Sequence, residues 1–134
     1  VFESQVTSKG LRLARSLDDV GEVRVDPGQM KEVFLNLLEN ATAATESGEI
    51  RVTCSVRDSR WVEVAVEDTG EGIPEADLER IFDLYFTTKP AGTGLGLSLV
   101  HRIVNEHGGT VEVESKPGVG SKFRVVLKRG ADES

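Results

Sequence analysis

Gly92-Thr93-Gly94-Leu95-Gly96-Leu97 places three alternating glycines directly in front of an apolar-periodic segment. Such a run reads as the start of a helix built to face an anion. The first amides of a helix lack intrahelical partners, the helix dipole is positive at that end, and glycines let a phosphate approach the backbone closely. The ligand this favours is a nucleotide. Two familiar phosphate loops are excluded. No G-x-x-x-x-G-K-[ST] occurs in the chain, and Leu97 stands where a dinucleotide fingerprint needs its third glycine. A glycine-rich helix start can also be only a tight turn, so the rest of the chain has to decide.

A second pattern is Asp68-Thr69-Gly70-Glu71-Gly72-Ile73, which follows the alternating run Val62-Glu63-Val64-Ala65-Val66-Glu67. The alternation predicts a strand with Asp68 at its end. A carboxylate there accepts a hydrogen bond from the exocyclic amine of adenine but would face the carbonyl oxygen of guanine, so it selects by charge as well as fit. Taken alone, Asp-x-Gly is a common turn.

A third pattern, Asn36-Leu37-Leu38-Glu39-Asn40-Ala41, lies on the strongest helix in the sequence. Asp26-Pro27-Gly28-Gln29 supplies an N-cap, a proline at the first helical position and a Gln suited to a capping box. Met30, Val33, Phe34, Leu37, Leu38 and Ala41 then form one apolar stripe facing the core. At ~100° per residue, Asn36 and Asn40 fall roughly 90 to 130° from the stripe centre, at its lip, while Glu39 points into solvent. An amide oxygen on such a lip suits Mg²⁺, a hard cation that keeps several waters and completes its shell with phosphate oxygens. Two boundary asparagines by themselves carry little information.

The patterns occur in a fixed order that resembles the ATP-binding catalytic domain of sensor histidine kinases, within the wider group of gyrase, mismatch-repair ATPases and the ninety-kilodalton heat-shock chaperone. The resemblance runs from about Val6 to Leu127. Asn36 to Ala41 is similar to the asparagine box, Asp68 to Ile73 to the first glycine box, and Gly92 to Leu97 to the second. Ile81-Phe82-Asp83-Leu84-Tyr85-Phe86-Thr87-Thr88-Lys89 is similar to the phenylalanine box, and His107-Gly108-Gly109 with Gly118-Val119-Gly120-Ser121-Lys122-Phe123 to the closing elements.

The resemblance implies a Bergerat-type fold that binds ATP and Mg²⁺ as cofactors. It implies Asp68 as the adenine acceptor, Gly70, Gly72 and Ile73 beside it, and Ser121 supporting the adenine end. Asn40 becomes the metal ligand and Asn36 the residue nearest the chemistry, making polar contacts near metal and phosphates. Thr93, Gly94, Leu95, Gly96 and Leu97 cradle phosphate, while Tyr85, Thr87, Thr88 and Lys89 belong to a lid over residues 83 to 93. The implied reaction is donation of the γ-phosphoryl group to a histidine on the dimerisation domain of the same kinase, with a response regulator downstream.

Two departures bear on this. Leu84 and Tyr85 replace the usual Pro and Phe, and Ala43 stands where many members carry Lys or Arg, which lowers the cationic charge available to a triphosphate. A third position separates branches of the group. The chaperone and topoisomerase branches carry a water-activating glutamate four residues before the metal-binding asparagine, and here that residue is Asn36. An amide cannot take a proton at neutral pH, so the reading moves from hydrolase to phosphoryl donor. A stand-alone serine kinase that acts as an anti-sigma factor is the nearest alternative, and a nucleotide-responsive binding module without transfer is another.

Composition agrees with one domain. A chain of 134 residues with 38% hydrophobic content builds a single core, read here as 1–134 with its centre in 6–127. The net charge of −7 argues against a nucleic-acid surface or direct contact with an anionic membrane. No run approaches the ~20 apolar residues of a membrane span, so the expected location is cytoplasmic, with a parent that can still be membrane-anchored. Cys54, the single cysteine, sits in phase with Ile50, Val52 and Val56 and is expected to be buried. Neither His101 nor His107 has the H-E-x-x-[NT] context of a phosphoacceptor, so the acceptor is expected elsewhere.

The segment pattern predicts strands over Leu11 to Leu17, Val23 to Val25, Ile50 to Arg57, Val62 to Glu67, Thr110 to Ser115 and Ser121 to Leu127, with helices near 28–45, 74–81 and 95–107. Strands oily on one face with helices above them make an α+β, two-layer α/β sandwich with a mixed sheet and its helices on one side.

Overall fold

The computed structural model describes residues 12–17, 23, 25–82 and 96–129. Strands β1 (Arg12–Leu17), β2 (Glu49–Val56), β3 (Trp61–Asp68), β4 (Thr110–Lys116) and β5 (Gly120–Lys128) form one sheet in the order β1-β2-β3-β5-β4. β1 runs parallel to β2 and every other pairing is antiparallel, so the sheet is mixed. A parallel pair needs a crossover. Helix α1 (Pro27–Ala44) lies in the chain between β1 and β2 and supplies it. Both sequence-predicted hairpins are present, with the β2–β3 turn over 57–60 and the β4–β5 turn over 117–119.

Strand register sorts the side chains onto two faces. Ile50, Val62, Val66, Phe123, Val125 and Leu127 share the inner face and are buried, packed with Met30, Val33, Leu37 and Ala41 of α1 and Val100, Ile103 and Val104 of helix α2 (Gly96–Glu106). The outer face is largely polar, with Ala65 and Val126 buried on it. Glu114, Arg124, Glu63, Arg57 and Glu112 run across it as a chain of ion pairs, with the Arg57 guanidinium bidentate on Glu112 at 2.7 and 3.0 Å. The Arg57 hydrogen bond holds the Glu112 carboxyl below its ordinary range, against a smaller opposing effect of burial.

Local chemistry sets the ends of α1. Asp26 Oδ1 accepts the Gln29 N–H at 3.0 Å, and Pro27 sits in the first turn. The reciprocal half of the expected capping box is replaced by a tertiary contact. The Asp26 N–H goes to His107 Nε2 at 3.1 Å, while His107 Nδ1 donates to the Ile103 carbonyl at 2.8 Å. One imidazole thus ties the start of α1 to the end of α2, and the two helices run antiparallel. At the other end Thr42 and Thr45 return their hydroxyls to Leu38 and Ala41, each at 2.8 Å, and Glu71 N–H caps the Ala44 carbonyl at 3.1 Å. The bonds to Ala41 and Ala44 satisfy carbonyls that a helix end otherwise leaves open.

Three expectations are corrected. The segment 74–81 holds only a 3₁₀ turn, Glu75–Asp77, followed by further turns. So short a segment has little to offset the cost of helix nucleation, and it is held instead by Leu78, Ile81 and Phe82 packing on the core. Val23 to Val25 is no strand among the described residues, since Val23 makes one isolated bridge to Arg129. Cys54 is half-buried. Its inward phase is right, but Val56 on the same face is 43% exposed, so the core thins out at that corner of the sheet.

Candidate nucleotide site

Asp68 closes β3 and is only 4% exposed, a burial that requires a carboxylate to be hydrogen-bonded. Its Oδ1 accepts the Gly70 N–H at 2.8 Å, an Asx-type turn that fixes the carboxylate at the end of the central strand. The backbone crowds it on two sides. A Cβ at Gly70 would collide with the Ala44 carbonyl and stand 2.9 Å from Asp68 Oδ1, and one at Gly120 would collide with the Asp68 carbonyl. Gly72 adopts φ 75°, a left-handed conformation, and a Cβ there would collide with the Lys116 carbonyl.

Register puts Ile50, Asp68, Ser121 and Ser115 in one row across β2, β3, β5 and β4, all on the inner face. Ser121 is 7% exposed and its Oγ lies 2.8 Å from Ser115 Oγ. Ser115 Oγ also accepts the Ile73 N–H at 2.7 Å, and Gly118 N–H donates to the Glu71 carbonyl at 2.9 Å. The turn carrying Gly70, Gly72 and Ile73 is therefore fastened to the β4–β5 hairpin, and Ile73 itself packs on the core.

Asn36 and Asn40 are half-buried one turn apart on α1, and Glu39 between them is exposed. Asn36 Nδ2 donates to the Glu32 carbonyl at 2.8 Å, which leaves its Oδ1 facing α2. That oxygen sits 2.9 Å from where a Cβ at Gly96 would be, so the amide abuts the first residue of α2. Ala43 is exposed on the same helix. Leu97 packs on the core one residue into α2. The arrangement brings a buried acceptor, two amides and a helix start to one side of the sheet. Tyr85, Thr87, Thr88, Lys89, Thr93, Gly94 and Leu95 fall outside the described residues, as does the lid.

Among the described residues, no group of three His, Cys, Asp or Glu side chains comes together as a metal cluster. A single amide oxygen such as that of Asn40 fits a cation that arrives with phosphate ligands of its own, as Mg²⁺ does. No helix among the described residues is long and apolar enough to cross a membrane. His101 lies on the exposed face of α2 with its ring stacked on Phe82 at 5.2 Å. Ser115 is the residue that motif reading passes over. Its only signal is a hydroxyl in the inward phase of Val111 and Val113.

Residues 25–131 match the family model described as histidine kinase-, DNA gyrase B- and HSP90-like ATPase. The sensor histidine kinase ZraS of Escherichia coli (strain K12) is 46% identical over 111 residues, covering 82% of this chain and 24% of ZraS. The solved catalytic domain of histidine kinase ThkA is 35% identical with a TM-score of 0.84, covering 96% of this chain and 86% of that one. Full-length ShkA in complex with AMPPNP superposes with a TM-score of 0.86 at 30% identity, over 94% of this chain and 27% of ShkA. The chain therefore belongs to the histidine kinase-, DNA gyrase B- and HSP90-like ATPase family, as a catalytic domain of the histidine kinase kind. It spans about a quarter of the length of ZraS.

Proposed function

We propose that this chain binds ATP together with Mg²⁺ and donates the γ-phosphoryl group to a histidine on the dimerisation domain of its parent kinase, from which a response regulator takes it. The observation that carries the reading is Asp68, a buried carboxylate fixed by the Gly70 amide at the mouth of the sheet. An acceptor held there complements the exocyclic amine of adenine and opposes the O6 of guanine. Gly70, Gly72 and Ile73 form the turn beside the base, and Ser121 stands across from Asp68 in the sheet.

Asn40 is assigned as the protein ligand of the metal, which when bound would offset phosphate charge. Asn36 makes polar contact at the start of α2, where Gly96, Leu97 and the preceding Thr93, Gly94 and Leu95 receive phosphate. Tyr85, Thr87, Thr88 and Lys89 are assigned to the lid. With Asn36 in place of a carboxylate, no base at that position activates water, so the γ-phosphoryl is kept for an acceptor side chain. Positioning and charge neutralisation supply the catalysis, as in phosphoryl transfer generally.

The test is labelling with γ-labelled ATP in the presence of the dimerisation domain. The label is expected on that domain, lost in acid and stable in base, as phosphohistidine behaves. Base-labile label would mean a serine kinase, and binding without any product would mean a nucleotide-responsive module.

A further inference from the structure

Trp61 is the single tryptophan of the chain, and it opens β3 in a position the core does not explain. Register puts Val62 on the inner face, so Trp61 stands on the outer one, half-buried and outside the core cluster. Cations gather around it. Lys128 is its partner across the β3–β5 ladder, the Arg57 N–H bonds the Trp61 carbonyl at 2.9 Å from the β2 side, and Arg60 directly precedes it. Arg129 closes the corner, with its N–H on the Arg60 carbonyl at 2.9 Å. Arg57 is engaged by Glu63 and Glu112, but no carboxylate among the described residues pairs with Arg60, Lys128 or Arg129. Asp58, the acid of the turn, is committed to the backbone, its Oδ1 accepting the Arg60 and Trp61 N–H groups at 2.8 and 3.1 Å.

We infer that this corner of the outer face is a docking surface for an acidic segment of a partner protein. A chain of net charge −7 repels acidic partners over most of its surface. A tryptophan beside the unpaired Arg60, Lys128 and Arg129 is a local reversal of sign, and charge complementarity selects an acidic occupant. The residue types agree, since tryptophan and arginine dominate interface energetics, the indole through desolvated area and the cations through steering and orientation. The turn that presents them is fixed, because the Arg57 and Asp58 amides both bond the Trp61 carbonyl and the Asp58 carboxylate holds the amides of Arg60 and Trp61. The nucleotide site stays open. Trp61 and Asp68 are the two ends of β3, about 23 Å apart at the usual strand rise, so a seated segment does not occlude ATP. A single-stranded nucleic acid also brings stacking and negative charge, but its regular phosphates would run past the corner onto an acidic surface.

Because Trp61 is the only tryptophan, its fluorescence reports the corner directly. The probe is an oligoglutamate peptide titrated at low salt, with oligothymidylate as the comparison. Oligoglutamate is expected to shift the indole emission saturably, and the binding should weaken as added salt shortens the Debye length. Arg60→Glu combined with Lys128→Glu should weaken peptide binding about tenfold or more. The same change of net charge placed on the helices, Lys31→Glu with Arg102→Glu, should alter it less than about twofold, since those charges are screened from the corner. Thermal melts verify that each variant is folded. Should the paired reversal unfold, Arg60→Gln with Lys128→Gln, which removes the charges without reversing them, is read against the same helix control. Equal weakening by the corner and helix pairs overturns the inference. So does an indole emission that ignores oligoglutamate, or tighter binding of oligothymidylate than of the peptide.

Discussion

Asp68 shows how much a single residue carries and how the backbone prepares it. Its alternating strand and following glycines mark it in the sequence, but only the fold reveals that Gly70 and Gly120 press against it and that Gly70 N–H fixes one oxygen. Asp68→Ala is expected to weaken ATP binding by about 1.5–3 kcal/mol, the range for hydrogen bonds to a charged group. Calorimetry with ATP and GTP checks this, and equal affinity of the parent for both would remove the base assignment. Asn40→Ala is expected to erase most of the Mg²⁺ dependence of triphosphate binding and to leave adenosine binding nearly intact. Titrations with and without chelator distinguish that from a variant whose adenosine binding fails too, which would mean that Asn40 supports the fold. Ser115 was not legible at this scale, because a serine on an apolar face has no sequence signature apart from the partners the fold brings to it.

At the scale of elements, patterns within one segment were readable and those completed by another segment were not. Strand alternation and the Asp26-Pro27 cap placed both hairpins and the start of α1. Its far end was less visible, since the Ala44 carbonyl is capped by Glu71, which comes after two intervening strands. The missed contact of His107 is of the same kind, joining residues 81 positions apart. His107→Ala removes the acceptor of the Asp26 amide and the ring contact to Ile103, and should lower stability by about 1–2 kcal/mol. Asn36 and Asn40 lie roughly 14 and 20 Å further along α1 at 1.5 Å per residue, so ATP affinity should change little. Urea unfolding followed by calorimetry reads both quantities, and an unaltered midpoint would show that the clamp contributes nothing.

For the molecule as a whole, the sheet separates two functions by face. The inner face carries the core and the row ending in Ser115, while the outer face carries the Arg57–Glu63–Arg124 network with Glu112 and Glu114. Because the folded state lowers the pKa of Glu112, its contribution is present above the unfolded carboxyl pKa and is lost as pH falls through the folded value. Thermal melts from neutral pH into the acid range should therefore show a shallower loss of stability for Glu112→Gln than for the parent, and parallel curves would rule the pair out as a contributor. The effect is expected to be small and salt-sensitive, since both partners are solvent-exposed.

In the proposed function the site holds ATP as a phosphoryl donor, with Asn36 standing where a water-activating acid would make it a hydrolase. The most direct measurement is incubation of this chain alone with γ-labelled ATP, scoring released phosphate and protein-bound label against binding measured in parallel. Bound ATP, no label on the chain and only slow phosphate release are expected. Rapid release, or stable label on the residues of this chain, would contradict the proposed function and establish a hydrolase or a self-modifying kinase.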